Sequence, residues 1–183
     1  MSNRIFLHLR TSPVGPLLLL SDGDALVGLY TPGISASRAA PRGAILDFAP
    51  FRDVSEKLDR YFAGVLTQFD VPLRLAGTPF QRAVWAALVA IPYGTTISYR
   101  ELAARIGNPR AVRAVGAANG RNPVSIIVPC HRVIGADGAL VGYGGGLDCK
   151  RWLLNHEHAR GPEGVRRTSA YGSSTARAAA VAR

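Results

Sequence analysis

Residues 113–133 read Arg113-Ala114-Val115-Gly116-Ala117-Ala118-Asn119-Gly120-Arg121-Asn122-Pro123-Val124-Ser125-Ile126-Ile127-Val128-Pro129-Cys130-His131-Arg132-Val133. On a wheel of about 100° per residue, Ala111, Val112, Val115 and Ala118 fall together, while Arg113 lies almost opposite with Arg110 and Ala117 beside it. That pattern predicts a helix over 110–119 with an apolar inner face and a basic, small-residue outer face, ended by Gly120. Small residues on the outer face let a helix backbone come close to a nucleic-acid groove. After Asn122-Pro123 the apolar run Val124 to Val128 predicts a strand, and Cys130 would sit at its end, where a sheet holds a side chain in place beside a cleft.

Upstream, Thr78 reads as an N-cap with Pro79 at the first helical position, and Phe80, Val84, Leu88 and Ile91 form one stripe. Ser98-Tyr99-Arg100-Glu101 has the form of a capping box, followed by the buried face Leu102, Ala103 and Ile106 and by Gly107 as a stop. The turn Asn108-Pro109 then leads into the helix carrying Arg113, so the pair has the shape of a helix-turn-helix. Downstream come a Gly135-Ala136-Asp137-Gly138 turn, the glycine run 142–146 around Tyr143, and a helix with Asp148 as its N-cap that reaches Glu157.

The first part of the chain predicts strands over 5–10, 17–21 and 25–31, a helix over 51–63 stopped by Gly64, and a further strand over 69–75. The fold class is therefore α+β: a small sheet-plus-helix domain over 1–76, then a mainly helical domain over 77–160 containing the helix-turn-helix and the cysteine. Residues 161–183 are Ala, Arg, Ser and Gly with almost no large apolar side chain, which predicts a disordered tail.

Net charge is +10, from 22 Lys and Arg against 12 Asp and Glu. Such a surplus favours a polyanionic partner, although Arg and Ala enrichment also follows from base composition alone. Arg100, Arg105, Arg110, Arg113, Arg121 and Arg132 cluster with Glu101 as the one acidic residue among them. Cys130 and Cys149 are too few for a disulfide framework or a four-cysteine zinc site, and the apolar run Leu17 to Leu20 is too short to cross a membrane. These features predict a cytoplasmic protein with no membrane partner, no metal and no cofactor.

A thiol is only a few per cent ionised at neutral pH, so a cysteine nucleophile needs a base or a positive field, and His131 and Arg132 are candidates. Neighbours on an extended strand point to opposite faces, so His131 would reach the thiol through a turn or a bridging water. Taken alone, a Cys-His pair reads as a buried small hydrophobe beside a satisfied histidine. A cysteine hydrolase leaves the basic helix-turn-helix unexplained, and a DNA-binding module without transfer chemistry leaves the thiol unexplained.

Pro129-Cys130-His131-Arg132-Val133, preceded by Arg113-Ala114-Val115-Gly116-Ala117-Ala118-Asn119 and Asn122-Pro123, resembles the signature of the O6-alkylguanine-DNA alkyltransferases. The resemblance runs from about Thr78 to Glu157. It implies a ribonuclease H-like first domain and an irreversible, single-turnover transfer of an alkyl group from O6-alkylguanine, and from O4-alkylthymine, to Cys130. It makes His131 the base acting through water, Glu157 its orienter, Asn122 a support of the active-site turn, and Tyr99 a proton or hydrogen-bond donor to the guanine ring. Arg113 would enter the duplex from the minor groove in place of the flipped base, with Arg110, Ala117, Tyr99 and Arg132 along the DNA. Backbone groups of Val133, Leu140 and Gly144 would read the base, with Tyr143 in the pocket wall. The partner implied is double-stranded DNA carrying the lesion, met by a monomer. Some relatives have hydroxyl side chains where Ala136 and Gly144 stand and zinc ligands in the first half, and this chain has neither.

Overall fold

A computed structural model describes residues 4–33 and 40–158. Three antiparallel strands form the first sheet: β1 (Phe6–Arg10), β2 (Leu17–Ser21) and β3 (Leu26–Tyr30). A short β4 (Ile45–Leu46), not foreseen, adds parallel to β1 and gives the order β3-β2-β1-β4. β2 is central, and all of Leu17, Leu18, Leu19 and Leu20 are buried. A continuous apolar run suits a strand covered on both faces. The helix α1 (Arg52–Phe62) buries Val54, Leu58 and Tyr61 at helical spacing, and Arg10 ties it to β1 by donating to Ser55 O at 2.7 Å.

Residues 69–75 stay extended without becoming a strand. Leu26 N donates to Pro72 O at 2.9 Å and Arg74 N to Leu26 O at 3.0 Å, a single bridge at Leu73. Pro72 has no N–H to continue a ladder.

The second half opens with α2 (Pro79–Val89), whose Thr78 cap is completed into a capping box by Gln81. β5 (Ile97–Ser98) leads into α3 (Tyr99–Arg105), capped by Ser98 accepting from Glu101 N at 3.1 Å. The reciprocal half of the expected box is missing, because the Glu101 carboxylate turns to Arg105 one turn on, at 2.7 Å. α4 (Val112–Gly120) starts later than the expected Arg110, since residues 108–111 close a turn in which Ala111 N donates to Asn108 O. Trp85 of α2 donates its indole N–H to Ala118 O at 2.9 Å, which fixes the outgoing end of α4 against the core.

The run Val124 to Val128 is not the predicted strand. Asn122 Nδ2 donates to Val128 O at 2.7 Å and Asn122 Oδ1 accepts from Val124 N at 3.0 Å, so the segment folds back on one side chain. Ile126 takes φ 71°, a left-handed conformation costly for a β-branched residue and held here by burial and by those bonds. Cys130 consequently begins a single 3-10 turn, Cys130–Arg132, before β6 (Val133–Ile134) pairs in parallel with β5. The last helix, α5 (Gly146–His158), begins two residues before Asp148, which lies in its first turn beside Arg151 and is no N-cap.

The halves share one apolar core, and the backbone crosses between them: Leu29 N donates to Pro123 O at 2.9 Å and Ser125 N to Leu29 O at 2.8 Å. The strand β3 therefore braces the turn that carries the cysteine. Among the described residues no helix is long and apolar enough to cross a membrane. The predicted tail lies outside the described residues.

Candidate active site

Cys130 is 5% exposed at the head of its 3-10 turn, close behind the Asn122 turn. Burial pushes its thiol up from the ordinary value, opposed by the Asn122 amide, the Lys150 ammonium and the backbone N–H groups of Cys130 and His131. Burial wins, so the resting group is a thiol and its reaction needs a base. The same surroundings are arranged to hold a thiolate once it forms.

Next in the chain is the buried imidazole of His131. Its Nε2 lies 2.8 Å from Glu157 Oε1. Desolvation lowers the His131 pKa, and Glu157 only partly restores it, so the ring is neutral near pH 7. Burial alone would raise Glu157, but His131 and Arg132 pull it far below the carboxylate range and keep it ionised. An ionised carboxylate only accepts, so the His131 proton sits on Nε2 and the free basic lone pair is on Nδ1. Nδ1 is buried and has no hydrogen-bond partner within the protein.

Glu157 is saturated with donors. Tyr61 Oη gives 2.9 Å, Arg132 Nε and Nη2 give 2.8 and 2.9 Å, and Gly94 N gives 3.1 Å, besides His131. Arg132, expected along the DNA, is corrected by this geometry: it is 6% exposed, its third nitrogen donates to Ile91 O at 2.6 Å, and it has no face left for a phosphate. Its guanidinium sits over the Tyr93 ring.

Tyr99, the first residue of α3, reaches the loop 140–144. Its hydroxyl is 3.5 Å from Val141 O and 3.5 Å from Asn119 Nδ2. Burial raises its pKa, the Cys130 charge adds to that, and Asn119 opposes it. Val133 N–H is taken by Cys130 O, and the Val133 carbonyl accepts from Lys150 Nζ at 2.6 Å. Leu140 is half-buried and Gly144 exposed, while the ring of Tyr143 is packed inward with a buried hydroxyl. The glycine loop rests on the end of β3: a Cβ at Gly145 would lie 2.2 Å from Thr31 Oγ1, and one at Gly33 would lie 2.9 Å from Gly144 O.

Lys150 was not singled out among the expected site residues. It is fully buried and donates to Val133 O and Val141 O, and burial lowers its pKa to about 8. The pattern did hold a signal. Lys150, Leu153, Leu154 and Glu157 share one helical face, and two charges on the buried face of an otherwise apolar stripe mark groups with internal partners.

Arg113 and Ala117 are exposed on the outer face of α4, and Arg110 is exposed in the turn before it. The inner face of the same helix reaches the site, because Asn119 Nδ2 is 3.5 Å from Cys130 O. Thus Cys130, His131, Asn122, Glu157 and Tyr99 come together behind the basic helix, and Arg132 joins them from the inside. Among the described residues no group of three His, Cys, Asp or Glu side chains is arranged to hold a metal ion.

Comparison with known proteins gives this arrangement its place. Residues 79–159 match the family model of the 6-O-methylguanine DNA methyltransferase DNA-binding domain, and residues 5–75 match that of its ribonuclease-like domain. The methylated-DNA–protein-cysteine methyltransferase of Mycobacterium tuberculosis is 52% identical over 164 residues, covering 85% of this chain and 95% of the relative. Its counterpart in Methanosarcina acetivorans is 51% identical over 146 residues, covering 80% and 94%. The crystal structure of Mycobacterium tuberculosis OGT in complex with DNA superposes with a TM-score of 0.79 at 50% identity, covering 85% of this chain and 94% of that one. The chain belongs to the methylated-DNA–protein-cysteine methyltransferase family.

Proposed function

We propose that this protein reverses O6-alkylguanine in duplex DNA directly, taking the alkyl group onto Cys130. The observation that carries this reading is that one helix, α4, presents Arg113 and Ala117 to solvent and touches the Cys130 carbonyl through Asn119. A basic helix face and the turn that carries the buried thiol are thereby in contact.

The lesion base must leave the stack to meet a buried sulfur, and Arg113 is placed to fill the gap from the minor groove, with Arg110 and the small Ala117 along the backbone. Tyr99, Val133, Leu140, Tyr143 and Gly144 line the receiving pocket. His131 Nδ1 takes the thiol proton, directly or through a water, while Glu157 holds the ring in the productive tautomer and balances the imidazolium. Sγ then bonds to the alkyl carbon as the C–O6 bond breaks, its electron pair passes into the purine, and a ring nitrogen collects a proton. O4-alkylthymine carries the same alkoxy carbon beside a ring nitrogen and fits the same chemistry. The thioether formed has no leaving group that water displaces, so each chain acts once and alone. Two unpaired thiols suit a reducing, cytoplasmic setting.

The test is stoichiometric. Duplex carrying O6-methylguanine is incubated with a limiting amount of protein. The expected result is lesion loss that stops at one equivalent and vanishes in Cys130→Ser, which still binds the duplex. Continuing loss beyond one equivalent would favour a hydrolytic reaction, and repair by Cys130→Ser would overturn the assignment of the acceptor.

A further inference from the structure

Asn119 faces inward from α4, 3% exposed, three residues after Gly116 and on the same side of the helix. The two residues form a seat for Tyr99. At Gly116 an added Cβ would be in ordinary van der Waals contact with the edge of the Tyr99 ring, at 3.8 Å, and Asn119 Nδ2 meets the hydroxyl at 3.5 Å. The same Nδ2 lies 3.5 Å from the carbonyl of Cys130.

The orientation of the Asn119 amide follows from this pair of neighbours. A backbone carbonyl can only accept, so the amino group of Asn119, not its oxygen, must face Cys130 O. Its two hydrogens then serve Cys130 O and Tyr99 Oη. Tyr99 is left as the acceptor in that contact, and its own proton goes to Val141 O, 3.5 Å away in the glycine loop, a long contact that an incoming base can replace. The Asn119 Oδ1 atom, on the far side of the amide, is buried with no partner, a cost retained at this position.

We propose that Asn119 is a positioning residue for the transfer reaction: it aims the Tyr99 proton at the departing purine and steadies the phenolate that forms as the proton leaves. The inference rests on the proposed function above. As Sγ bonds to the alkyl carbon, the C–O6 pair becomes the purine carbonyl system, and a ring nitrogen takes the Tyr99 proton. Negative charge appears on Oη, against which a donor already in place needs no reorganisation. The proton taken from the thiol by His131 later returns to Tyr99, so the sum is thiol plus alkylguanine giving thioether plus guanine. Contacts of 3.5 Å in the free protein are of the kind that shorten when the reacting group arrives. The Asn119 donor also acts against the burial that raises the Tyr99 pKa.

The test is a double-mutant cycle on the single-turnover transfer rate with O6-methylguanine duplex. Asn119→Leu keeps size and removes the donor, and is expected to slow transfer about 10- to 100-fold. In a Tyr99→Phe background the same substitution should change the rate by less than about twofold, since the proton it aims is gone. Asn119→Asp is the second variant, isosteric and unable to donate when ionised. Its rate relative to the parent should recover toward acid pH with Tyr99 present and stay flat in the Tyr99→Phe background. Equal slowing by Asn119→Leu in both backgrounds, or equal pH response of Asn119→Asp in both, would overturn the proposal and leave Asn119 a brace of the Cys130 turn. The parent protein in the same assay keeps the two claims apart, because loss of the proposed function appears as failure of one-equivalent transfer in the parent itself.

Discussion

Two polar clusters near Cys130 are built in opposite ways. Around Glu157 both carboxylate oxygens are filled by short bonds from Tyr61, Gly94, His131 and Arg132. Around Tyr99 the contacts are long, Asn119 Oδ1 has no partner, and His131 Nδ1 is likewise unpaired. The imidazole of His131 has one nitrogen in the closed cluster and the other without a partner. In the closed cluster protonation and geometry are fixed, and in the open one hydrogen-bonding capacity is left over. Buried polar groups in a folded protein are normally satisfied, so the unpaired His131 Nδ1 and Asn119 Oδ1 set the open cluster apart from the closed one.

If that contrast is right, substitutions on the closed side should cost stability and those on the open side rate. Glu157→Gln should have the largest effect, since it leaves Arg132 buried without its counter-charge: a loss of about 3–5 kcal/mol in urea unfolding, with transfer slowed about 10²–10⁴-fold as His131 loses its orienter. A parent-like unfolding curve would break the comparison. The pH response gives the sign independently. Because the folded pKa of Glu157 is depressed, its contribution is complete above the ordinary 4.5 and is lost as pH falls below it, so Glu157→Gln should flatten the acid limb of stability.

Asn122→Ala lies between the clusters. Removing bonds to Val124 and Val128 should cost about 1–3 kcal/mol and let the strained Ile126 relax, displacing Cys130, so unfolding and transfer should both suffer. Tyr99→Phe touches only the open side, with an expected stability change below about 1 kcal/mol and a clear loss of transfer rate. Large destabilisation there would mean that the open cluster is structural after all. Smallest of all inside the protein is Arg113→Ala, which meets neither cluster. Fluorescence-anisotropy titrations should show weaker DNA binding with a salt slope lower by about 0.9, while reaction with a free O6-alkylated nucleobase stays at the parent rate.

What could be read before the fold was known was local. The Thr78 and Ser98 caps, the Gly64 and Gly107 stops and the faces of α4 depend on neighbours within one turn, and each stands in the structure. The Cys-His pair was equally visible, but its meaning came from the family resemblance, since nothing in spacing links His131 to Glu157 across 25 residues of loop and helix. Val124 to Val128 misled because a short apolar run has no period to distinguish strand from turn, and the deciding groups are the two ends of the Asn122 amide. Arg132 misled for a related reason: charge predicts exposure, and only the fold shows a carboxylate waiting inside. Lys150 and Asn119 meet the backbone carbonyls of Val133, Val141 and Cys130, groups that every residue carries.

The central claim is that Cys130, not the second thiol, receives the alkyl group, and the sequence separates the two cleanly. Trypsin cuts after Arg121, Arg132 and Lys150, placing Cys130 in peptide 122–132 and Cys149 in peptide 133–150. Burial raises the Cys149 thiol to about 11, which disfavours its thiolate. After one turnover on O6-methylguanine duplex, peptide mass mapping should find a single methyl group, entirely on 122–132. A methyl group on 133–150, or none on either peptide while the lesion disappears, would contradict the account.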